Sequence, residues 1–167
     1  MNKVFLGLGA NLGSPYTTLQ KAIELIKKID QVNFLNSSSF YLTSPVSHIS
    51  QNDYLNLVCK VETGLEIEKL FLELENIEII LGKKVKGKQE PRIIDIDILF
   101  FGKESIQTEK LQIPHKEWKN RLFVLVPLKE ISDTIVLPNG EKIDLEPLVE
   151  NFSSTPKQHI SLFQKKI

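Results

Sequence analysis

The sequence predicts an α+β domain with the element order β-α-β-β-α-β. Two segments repeat apolar residues at helical spacing, which is typical of amphipathic helices. Several shorter segments alternate apolar and polar residues or are rich in β-branched and aromatic residues, which favours strands. In this order, both helices can cover one face of a single antiparallel sheet.

The length and composition indicate one domain, spanning residues 1–167. A chain of 167 residues is long enough to bury a sizeable core. Hydrophobic residues make up 41% and charged residues 25% of the chain, which is ordinary for a water-soluble protein. Lys and Arg together number 21, as do Asp and Glu, so no net charge favours a nucleic-acid or membrane partner.

Other features of the sequence lead us to expect a cytoplasmic protein. The residues after Met1 enter a predicted strand without a signal-peptide pattern. No apolar run approaches the roughly 20 residues that a membrane-spanning helix needs. The single cysteine, Cys59, cannot form an internal disulfide, and we expect it to be a small buried apolar side chain.

The first strand is predicted from Lys3 to Gly9, and the first helix follows it. The glycine spacing from Gly7 to Gly13 differs from the G-x-G-x-x-G fingerprint, which argues against a dinucleotide-binding fold. These glycines either form a turn, which the pattern alone favours, or allow a ligand to approach the backbone closely. Ser14 and Pro15 then predict a helix start, as the N-cap and first helical residue.

The second and third strands are predicted from Asn33 to Leu42 and from Tyr54 to Thr63. The polar loop between them, residues 43–53, is long enough to be either functional or disordered. Alternation in the third strand places Tyr54 and Asn56 on the face opposite the core. An aromatic ring beside an amide is suited to binding a flat heterocycle, although both residues are also common at strand ends.

The second helix is predicted from Glu66 to Leu81, and Gly82 ends it. Glu75 and Glu78 share one surface near its end, where such pairs are usually solvated. The basic loop from Lys83 to Gln89 leads into the next strand, which contains two aspartates. Lysines beside a carboxylate pair indicate a polyanion held between metal ions and the loop.

The strand from Pro91 to Phe101 places Asp95 and Asp97 on one face and isoleucines on the other. A rise of about 3.3 Å per residue separates the two aspartates by roughly 6.6 Å. Carboxylates held in this way can converge on one cation or on a close pair of cations. Alternating aspartates can also be the solvated face of an antiparallel sheet, and the strand alone does not decide between these interpretations.

The last third of the chain predicts a helix or packed segment from Trp118 to Leu128. A hairpin or turn is expected at residues 138–140, followed by a short helix and a tail. His115, Lys119 and Arg121 are candidate phosphate ligands, although a lone histidine is more often structural. The whole order predicts a ferredoxin-like sandwich with an extra C-terminal helical and hairpin segment. Its second sheet face would collect the odd polar residues, Tyr54, Asn56, Asp95 and Asp97.

Ordered motifs extend from residue 3 to about residue 138. They are Gly9-x-Asn11-Leu12-Gly13, Ser39-Phe40-Tyr41-x-Thr43-x-Pro45, Tyr54-Leu55-Asn56, Glu62-Thr63, Ile77-Glu78, Pro91-Arg92-x-x-Asp95-x-Asp97-Ile98-Leu99, Pro114-His115 and Asn120-Arg121-x-Phe123-x-Leu125-x-Pro127-Leu128. The run that contains both aspartates is the most specific of them. With these motifs the chain resembles the 6-hydroxymethyl-7,8-dihydropterin pyrophosphokinase family of folate synthesis.

The resemblance implies that the terminal pyrophosphate of ATP is transferred to the hydroxymethyl group of the pterin, with release of AMP. It implies a catalytic set of Lys83, Arg92, Asp95 and Asp97, with the two aspartates holding two Mg²⁺ ions that bridge the ATP phosphates. Magnesium takes a few carboxylates and completes its shell with substrate phosphate oxygens, in agreement with the residue chemistry. Such ions neutralise the attacked phosphoryl group and position the nucleophile.

The resemblance also implies two sets of substrate-binding residues. The pterin set is Thr43, Ser44, Val46, Tyr54, Asn56 and Phe123. The ATP set is Glu75, Glu78, Lys83, Arg92, Ile98, Lys110, Gln112, His115, Lys116 and Arg121. The expected partners are therefore these two small molecules, with no nucleic acid and no membrane, and the expected state is a monomer.

The loop before the aspartate strand departs from the family pattern. Lys83 replaces the first loop arginine and Val85 the second, Gln89 replaces the tryptophan, and Glu90 replaces the glycine before Pro-Arg. A lysine binds phosphate as a point charge and not as a bidentate fork. We therefore expect either a weaker lid over ATP or compensation by neighbouring lysines.

Two functions of other classes remain compatible with the residues alone. A ferredoxin-like binding module without catalysis would require the aspartate pair to be a solvated face. A metal-dependent phosphohydrolase or nuclease could use the same carboxylates, although the zero net charge argues against a nucleic-acid substrate.

Overall fold

The computed structural model describes residues 1–44, 53–82 and 93–164. The predictions for Val46, Lys83, Arg92 and the basic loop lie outside these residues. In chain order the described residues form β1 (Asn2–Ala10), α1 (Pro15–Lys27), β2 (Val32–Ser37), β3 (Tyr41–Thr43), β4 (Tyr54–Thr63), α2 (Ile67–Ile80), β5 (Asp95–Phe101), β6 (Ile106–Gln107), β7 (Gln112–Ile113), a 3₁₀ turn (Trp118–Asn120), α3 (Leu122–Ile131), β8 (Thr134–Val136), β9 (Lys142–Asp144), α4 (Leu145–Glu150) and β10 (Ile160–Leu162).

The main sheet confirms the predicted antiparallel arrangement. Its strand order in the described residues is β10-β3-β4-β1-β5, and β2 also pairs with β4. The long central strand β1 pairs antiparallel with β4 on one side and with β5 on the other. Glycines and polar side chains of these three strands therefore come together at the middle of the sheet.

The alternation predicted for β4 and β5 determines which side chains enter the core. Leu55 and Leu57 from β4 and Ile96 and Ile98 from β5 are buried in one apolar cluster with residues of α1 and α2. These two helices therefore cover the same face of the sheet, as predicted. Burial of the isoleucines on that face turns Asp95 and Asp97 of the same strand to the opposite face.

The opposite face is covered in part by α3, which the sequence predicted only as a helix or packed segment. Phe5, Val58 and Leu99 extend from this face and pack in a second apolar cluster with Leu125 and Leu128 of α3. The helix leaves the sheet uncovered where β1 carries glycine, so an open region adjoins the start of α3. Within the described residues, no helix has the length and hydropathy needed to span a bilayer.

The second predicted strand is interrupted, and Ser38 explains the break. Its backbone N–H donates to the Val58 carbonyl at 2.8 Å, while its hydroxyl accepts from the Val58 N–H at 3.0 Å. The hydroxyl thus takes the place of a strand carbonyl, and the chain leaves the ladder between β2 and β3.

The predicted hairpin at residues 138–140 is present between β8 and β9. The predicted tail instead contributes β10 to the main sheet.

A hydrogen-bonded carboxylate joins α3 to the strand that forms one wall of the open region. Glu130 of α3 accepts from the Ser39 N–H at 2.9 Å, from the Ser39 hydroxyl at 2.7 Å and from the Tyr41 hydroxyl. Burial opposes ionisation of Glu130, but these hydrogen bonds outweigh burial and lower the pKa of the carboxyl group. Burial and the adjacent carboxylate raise the pKa of Tyr41 to about 12, so its hydroxyl remains a donor at neutral pH.

Replacing Glu130 by glutamine should destabilise the protein at neutral pH and much less in acid. A depressed folded-state pKa means that stabilisation is present above the unfolded pKa of about 4.3 and is lost as pH falls through the lower folded-state pKa. The side chain is exposed, so the expected loss at neutral pH is about 1 kcal/mol or less. Urea unfolding of the Glu130→Gln variant and of the unmodified chain, from neutral to acid pH, measures this loss of unfolding free energy.

The matched control is Glu104→Gln, at an exposed position. Its unfolding free energy should differ little from that of the unmodified chain at either pH. If the difference in unfolding free energy between the Glu130→Gln variant and the unmodified chain were the same at all pH values, the charge of Glu130 would not be what stabilises its contact with Ser39 and Tyr41.

Candidate active site

A cavity of about 270 Å³ opens on the sheet face that α3 partly covers. Strands β1, β3, β4 and β5 and the start of α3 surround it. Its lining residues are Gly7, Leu8, Gly9, Thr43, Ser44, Tyr54, Asn56, Leu57, Asp95, Asp97, Leu99, Arg121, Phe123 and Val124. The cavity therefore brings together both predicted metal ligands, Arg121 and the described members of the predicted pterin set.

Two glycines of β1 form the floor of the cavity. Gly9 pairs with Asn56 on β4 and with Asp95 on β5, and Gly7 pairs with Asp97. A Cβ atom at Gly9 would lie 2.5 Å from the Asn56 Oδ1, so only glycine leaves this amide its space. The favoured turn interpretation was therefore wrong for Gly7 and Gly9, which lie inside β1. The close approach at Gly9 is that of Asn56, and approach of a ligand stays a prediction. Glycine inside a strand is itself a sign of close approach.

The amide of Asn56 is held in a fixed orientation at the bottom of the cavity. Asn56 is 5% exposed, and its Nδ2 donates to the Thr43 Oγ1 at 2.6 Å. Thr43 is 4% exposed and lies on the neighbouring strand β3. A buried amide that is fixed by one hydrogen bond can present its remaining donor and acceptor in a single direction. This geometry suits recognition of a planar heterocycle with donors and acceptors along one edge.

The carboxylates of Asp95 and Asp97 lie on β5, on the other side of β1 from Asn56, and face the same cavity. Both side chains are half-buried. The Asp97 Oδ2 lies 3.8 Å from the Arg121 Nη1 and 3.9 Å from the His115 Nε2. These distances exceed hydrogen-bond lengths, so the Arg121 cation attracts Asp97 through space without a hydrogen bond, and the His115 ring lies nearby.

His115 is oriented by the backbone that follows it. Its Nδ1 accepts from the Glu117 N–H at 3.1 Å, so the proton of the neutral ring lies on Nε2, the nitrogen nearer Asp97. Burial lowers the pKa of His115, Asp97 opposes that effect, and Arg121 adds to it. The lowered pKa favours the neutral ring, whose Nε2 can then donate a hydrogen bond.

The side chains at the start of α3 form the wall opposite the glycine floor. Arg121 is the residue before the helix, and its guanidinium carbon lies 5.4 Å from the centre of the Phe123 ring. Cation–π attraction at this distance fixes the two side chains relative to each other. One aromatic ring and one cation thus border the cavity together, with the cation 3.8 Å from the Asp97 carboxylate.

Among the predicted ATP residues that the structure describes, Arg121 lines the cavity, and His115 lies near its edge without lining it. Glu78 is buried on α2, where its Oε2 accepts from the Ile96 N–H at 3.4 Å, and Glu75 is half-buried on the same helix. The Ile98 side chain lies in the apolar core. The remaining three are exposed on the segment between β5 and the 3₁₀ turn: Lys110, Gln112 and Lys116.

Some residues of the site were not predicted as such. Leu99 and Val124 supply apolar lining, and nothing in their local pattern distinguishes them from core residues. Gln158 and His159 in the tail contact the cavity walls through hydrogen bonds. Those contacts join positions far apart in sequence, which no periodicity indicates.

The donor set at the carboxylates fits magnesium better than a softer metal. Asp95 and Asp97 offer oxygen atoms, which Mg²⁺ prefers. Within residues 1–44, 53–82 and 93–164, no group of three or more His, Cys, Asp or Glu residues could hold a metal ion. An ion bound by few protein ligands keeps positions for water or for substrate oxygens. The arrangement therefore suits an ion that arrives with, or is completed by, a phosphate-bearing substrate.

Comparison with known families and proteins shows clear relatives. Residues 5–133 match the family described as 7,8-dihydro-6-hydroxymethylpterin-pyrophosphokinase. The 2-amino-4-hydroxy-6-hydroxymethyldihydropteridine pyrophosphokinase of Haemophilus influenzae is 40% identical over 153 residues, which are 92% of this chain and 94% of that protein. The Bacillus subtilis protein of the same name is 37% identical over 134 residues, 80% of each chain.

The fold of this chain is similar to that of several solved structures. A structure described as HPPK-DHPS in complex with substrates superposes with a TM-score of 0.70 at 18% identity, covering 89% of this chain and 42% of that chain. Plasmodium falciparum HPPK-DHPS with pterin and p-hydroxybenzoate gives a TM-score of 0.69 at 18% identity, with the same coverage. The family match and the 40% identity to the Haemophilus protein show that this chain belongs to the 7,8-dihydro-6-hydroxymethylpterin-pyrophosphokinase family.

Proposed function

We propose that this chain transfers the terminal pyrophosphate of ATP to the hydroxymethyl group of 6-hydroxymethyl-7,8-dihydropterin, giving the pterin diphosphate and AMP, in folate synthesis. Family membership supports this reaction. The supporting observation in the structure is that the carboxylates of Asp95 and Asp97 share one cavity with the fixed amide of Asn56. Such a cavity can hold a flat heterocycle with its reacting substituent beside phosphates.

At the pterin end, the proposed contacts are an amide and two aromatic rings. Asn56, fixed by Thr43, would read the hydrogen-bonding edge of the heterocycle, and Tyr54 and Phe123 would lie against its ring faces. Ser44 lines the same cavity. Val46, which the resemblance adds to this set, lies outside the described residues.

At the phosphate end, Asp95 and Asp97 would hold Mg²⁺, and two ions are expected. When bound, magnesium supplies charge neutralisation and alignment of the phosphates with the attacking hydroxyl. The hydroxymethyl oxygen forms a bond to the β-phosphorus of ATP as the bond from that phosphorus to the α-phosphate oxygen breaks. AMP leaves and the hydroxyl proton is released. Such transfer depends mainly on positioning and electrostatics.

Arg121 and His115 would stabilise charge on the transferred group. The Arg121 guanidinium lies between the Phe123 ring and Asp97, at the junction of the two ends of the cavity. A planar guanidinium matches phosphate oxygens through its fork of donors. The neutral His115 would donate through Nε2 to a phosphate oxygen without adding charge.

Further residues belong to the ATP set through the resemblance. These are Glu75, Glu78, Ile98, Lys110, Gln112 and Lys116, together with Lys83 and Arg92, which lie outside the described residues. We further propose that residues 1–167 act as one ferredoxin-like pyrophosphokinase domain, as a monomer in the cytoplasm. Packing of two apolar clusters against the two faces of one sheet supports the single domain.

Product analysis tests the proposed reaction directly. The purified chain is incubated with Mg²⁺, ATP and the hydroxymethyl dihydropterin, and the nucleotides are separated. We expect AMP that forms only when the pterin and the metal are both present, and EDTA should stop it until excess Mg²⁺ is restored. Formation of ADP, or no turnover, would contradict the proposal and favour a phosphohydrolase or a binding module.

A further inference from the structure

The C-terminal segment, residues 154–163, lies beyond the family match and crosses both walls of the cavity. Within it, β10 pairs with β3, with Ile160 opposite Thr43. The Phe163 ring packs 5.6 Å from the ring of Tyr16, and its N–H donates to the Phe40 carbonyl. The segment is therefore anchored at its far end by a strand pairing and an aromatic contact.

One side chain of this segment connects to the start of α3. The Gln158 Oε1 accepts from the Leu122 N–H at 2.9 Å, and its Nε2 donates to the Asn120 carbonyl at 2.9 Å. Both partners flank Arg121, and Leu122 precedes Phe123. A single amide therefore holds the backbone on each side of the residue that lies between Asp97 and the Phe123 ring.

The next residue connects to the opposite wall. The Ser44 N–H donates to the His159 carbonyl at 3.0 Å, and the His159 N–H donates to the Ser44 hydroxyl at 3.0 Å. Ser44 lines the cavity beside Thr43. Two consecutive residues thus fix the distance between the Arg121–Phe123 wall and the Thr43–Ser44 wall.

We propose that Gln158 is a positioning residue for the pterin site, acting through the backbone on either side of Arg121. This inference rests on the proposed function and deepens it. The first N–H groups of a helix have no partner within the helix, and α3 has no side-chain cap from Arg121. Gln158 supplies an acceptor to one of these groups, which fixes the angle at which Phe123 enters the cavity.

A purely structural role would give a different result. The tail is already held by β10 and Phe163, so loss of the Gln158 amide removes one part-buried and one exposed hydrogen bond and leaves those anchors in place. Stability should therefore change little. A displaced aromatic wall, in contrast, acts on the bound pterin, because small misplacements of positioning groups have large kinetic effects.

The test compares Gln158→Met with Gln20→Met, the same substitution at an exposed position of α1. In Gln158→Met we expect the pterin KM to rise about tenfold, with a smaller change in kcat. The unfolding midpoint should fall by no more than about 3 °C. Gln158→Glu keeps the acceptor for Leu122 but loses the donor to Asn120. Its pterin KM should therefore lie between those of Gln20→Met and Gln158→Met.

Two outcomes separate this inference from the proposed function. If the unmodified chain forms no AMP, the proposed function fails, and this inference, which rests on it, fails with it. If the unmodified chain forms AMP and Gln158→Met has the same pterin KM as Gln20→Met, the positioning role fails alone. Equal pterin KM values in Gln158→Glu and Gln158→Met would also overturn it, because the retained acceptor would then have no effect.

Discussion

Alanine at Asp97 or at Asp95 is expected to lower kcat by about a thousandfold or more. Each substitution removes a proposed magnesium ligand from the cavity wall and leaves a single carboxylate to hold the expected ions. An ion with few protein ligands depends strongly on each of them, because water is the only replacement. The measurement is the initial rate of AMP formation with saturating ATP and pterin.

The fold should survive these substitutions. Both aspartates are half-buried on the cavity face, whereas β5 is held by Ile96 and Ile98 on the core face. The contacts of Asp97 with Arg121 and His115 are 3.8 and 3.9 Å long, so their loss costs little stability. Circular dichroism and the unfolding midpoint should therefore resemble those of the unmodified chain.

Asp30→Asn, at an exposed turn after α1, is the matched control for charge loss and should keep full activity. Asp97→Asn retains the shape of the side chain and tests charge alone, so it should be nearly as inactive as Asp97→Ala. Rates like those of the unmodified chain in both Asp95→Ala and Asp97→Ala would rule out the metal assignment and leave the solvated-face interpretation.

Local sequence was sufficient to predict the parts of the fold that depend on alternation. The apolar residues of β4 and β5 point to one face because a strand has a period of two, and this places Asn56, Asp95 and Asp97 on the same opposite face once the strands share a sheet. The break at Ser38 was not predictable in this way. It depends on a hydroxyl that contacts Val58 on another strand.

Sequence reasoning predicted which polar side chains share one sheet face, but it did not predict the shape of the cavity. Strand alternation predicted that Tyr54, Asn56 and the aspartates share a face, and all four line the cavity, although their residue types alone did not distinguish binding from ordinary strand positions. The pairing of Gln158 with the start of α3 joins positions 36 apart in the chain, and only the folded arrangement reveals it. The role of Gly9 also depends on a neighbour, since its missing side chain matters only because Asn56 lies opposite.

That dependence makes Gly9→Ala the second substitution with a large expected effect. The new Cβ would lie 2.5 Å from the Asn56 Oδ1, and the amide has little freedom because its Nδ2 is bound to Thr43 at 2.6 Å. The amide must therefore shift out of the orientation that would bind the pterin. We expect kcat/KM for the pterin to fall about a hundredfold, with a smaller effect on the KM for ATP.

Gly64→Ala is the control, because the nearest atoms to its added Cβ are at 3.5 and 3.6 Å, ordinary contact distances. Its activity should match that of the unmodified chain. A double-mutant cycle then tests the cause: in an Asn56→Ala background the clash is absent, so adding Gly9→Ala should change kcat/KM little further. If the two losses instead add, Gly9 acts on the pterin directly and the floor of the cavity is itself a contact surface for the substrate.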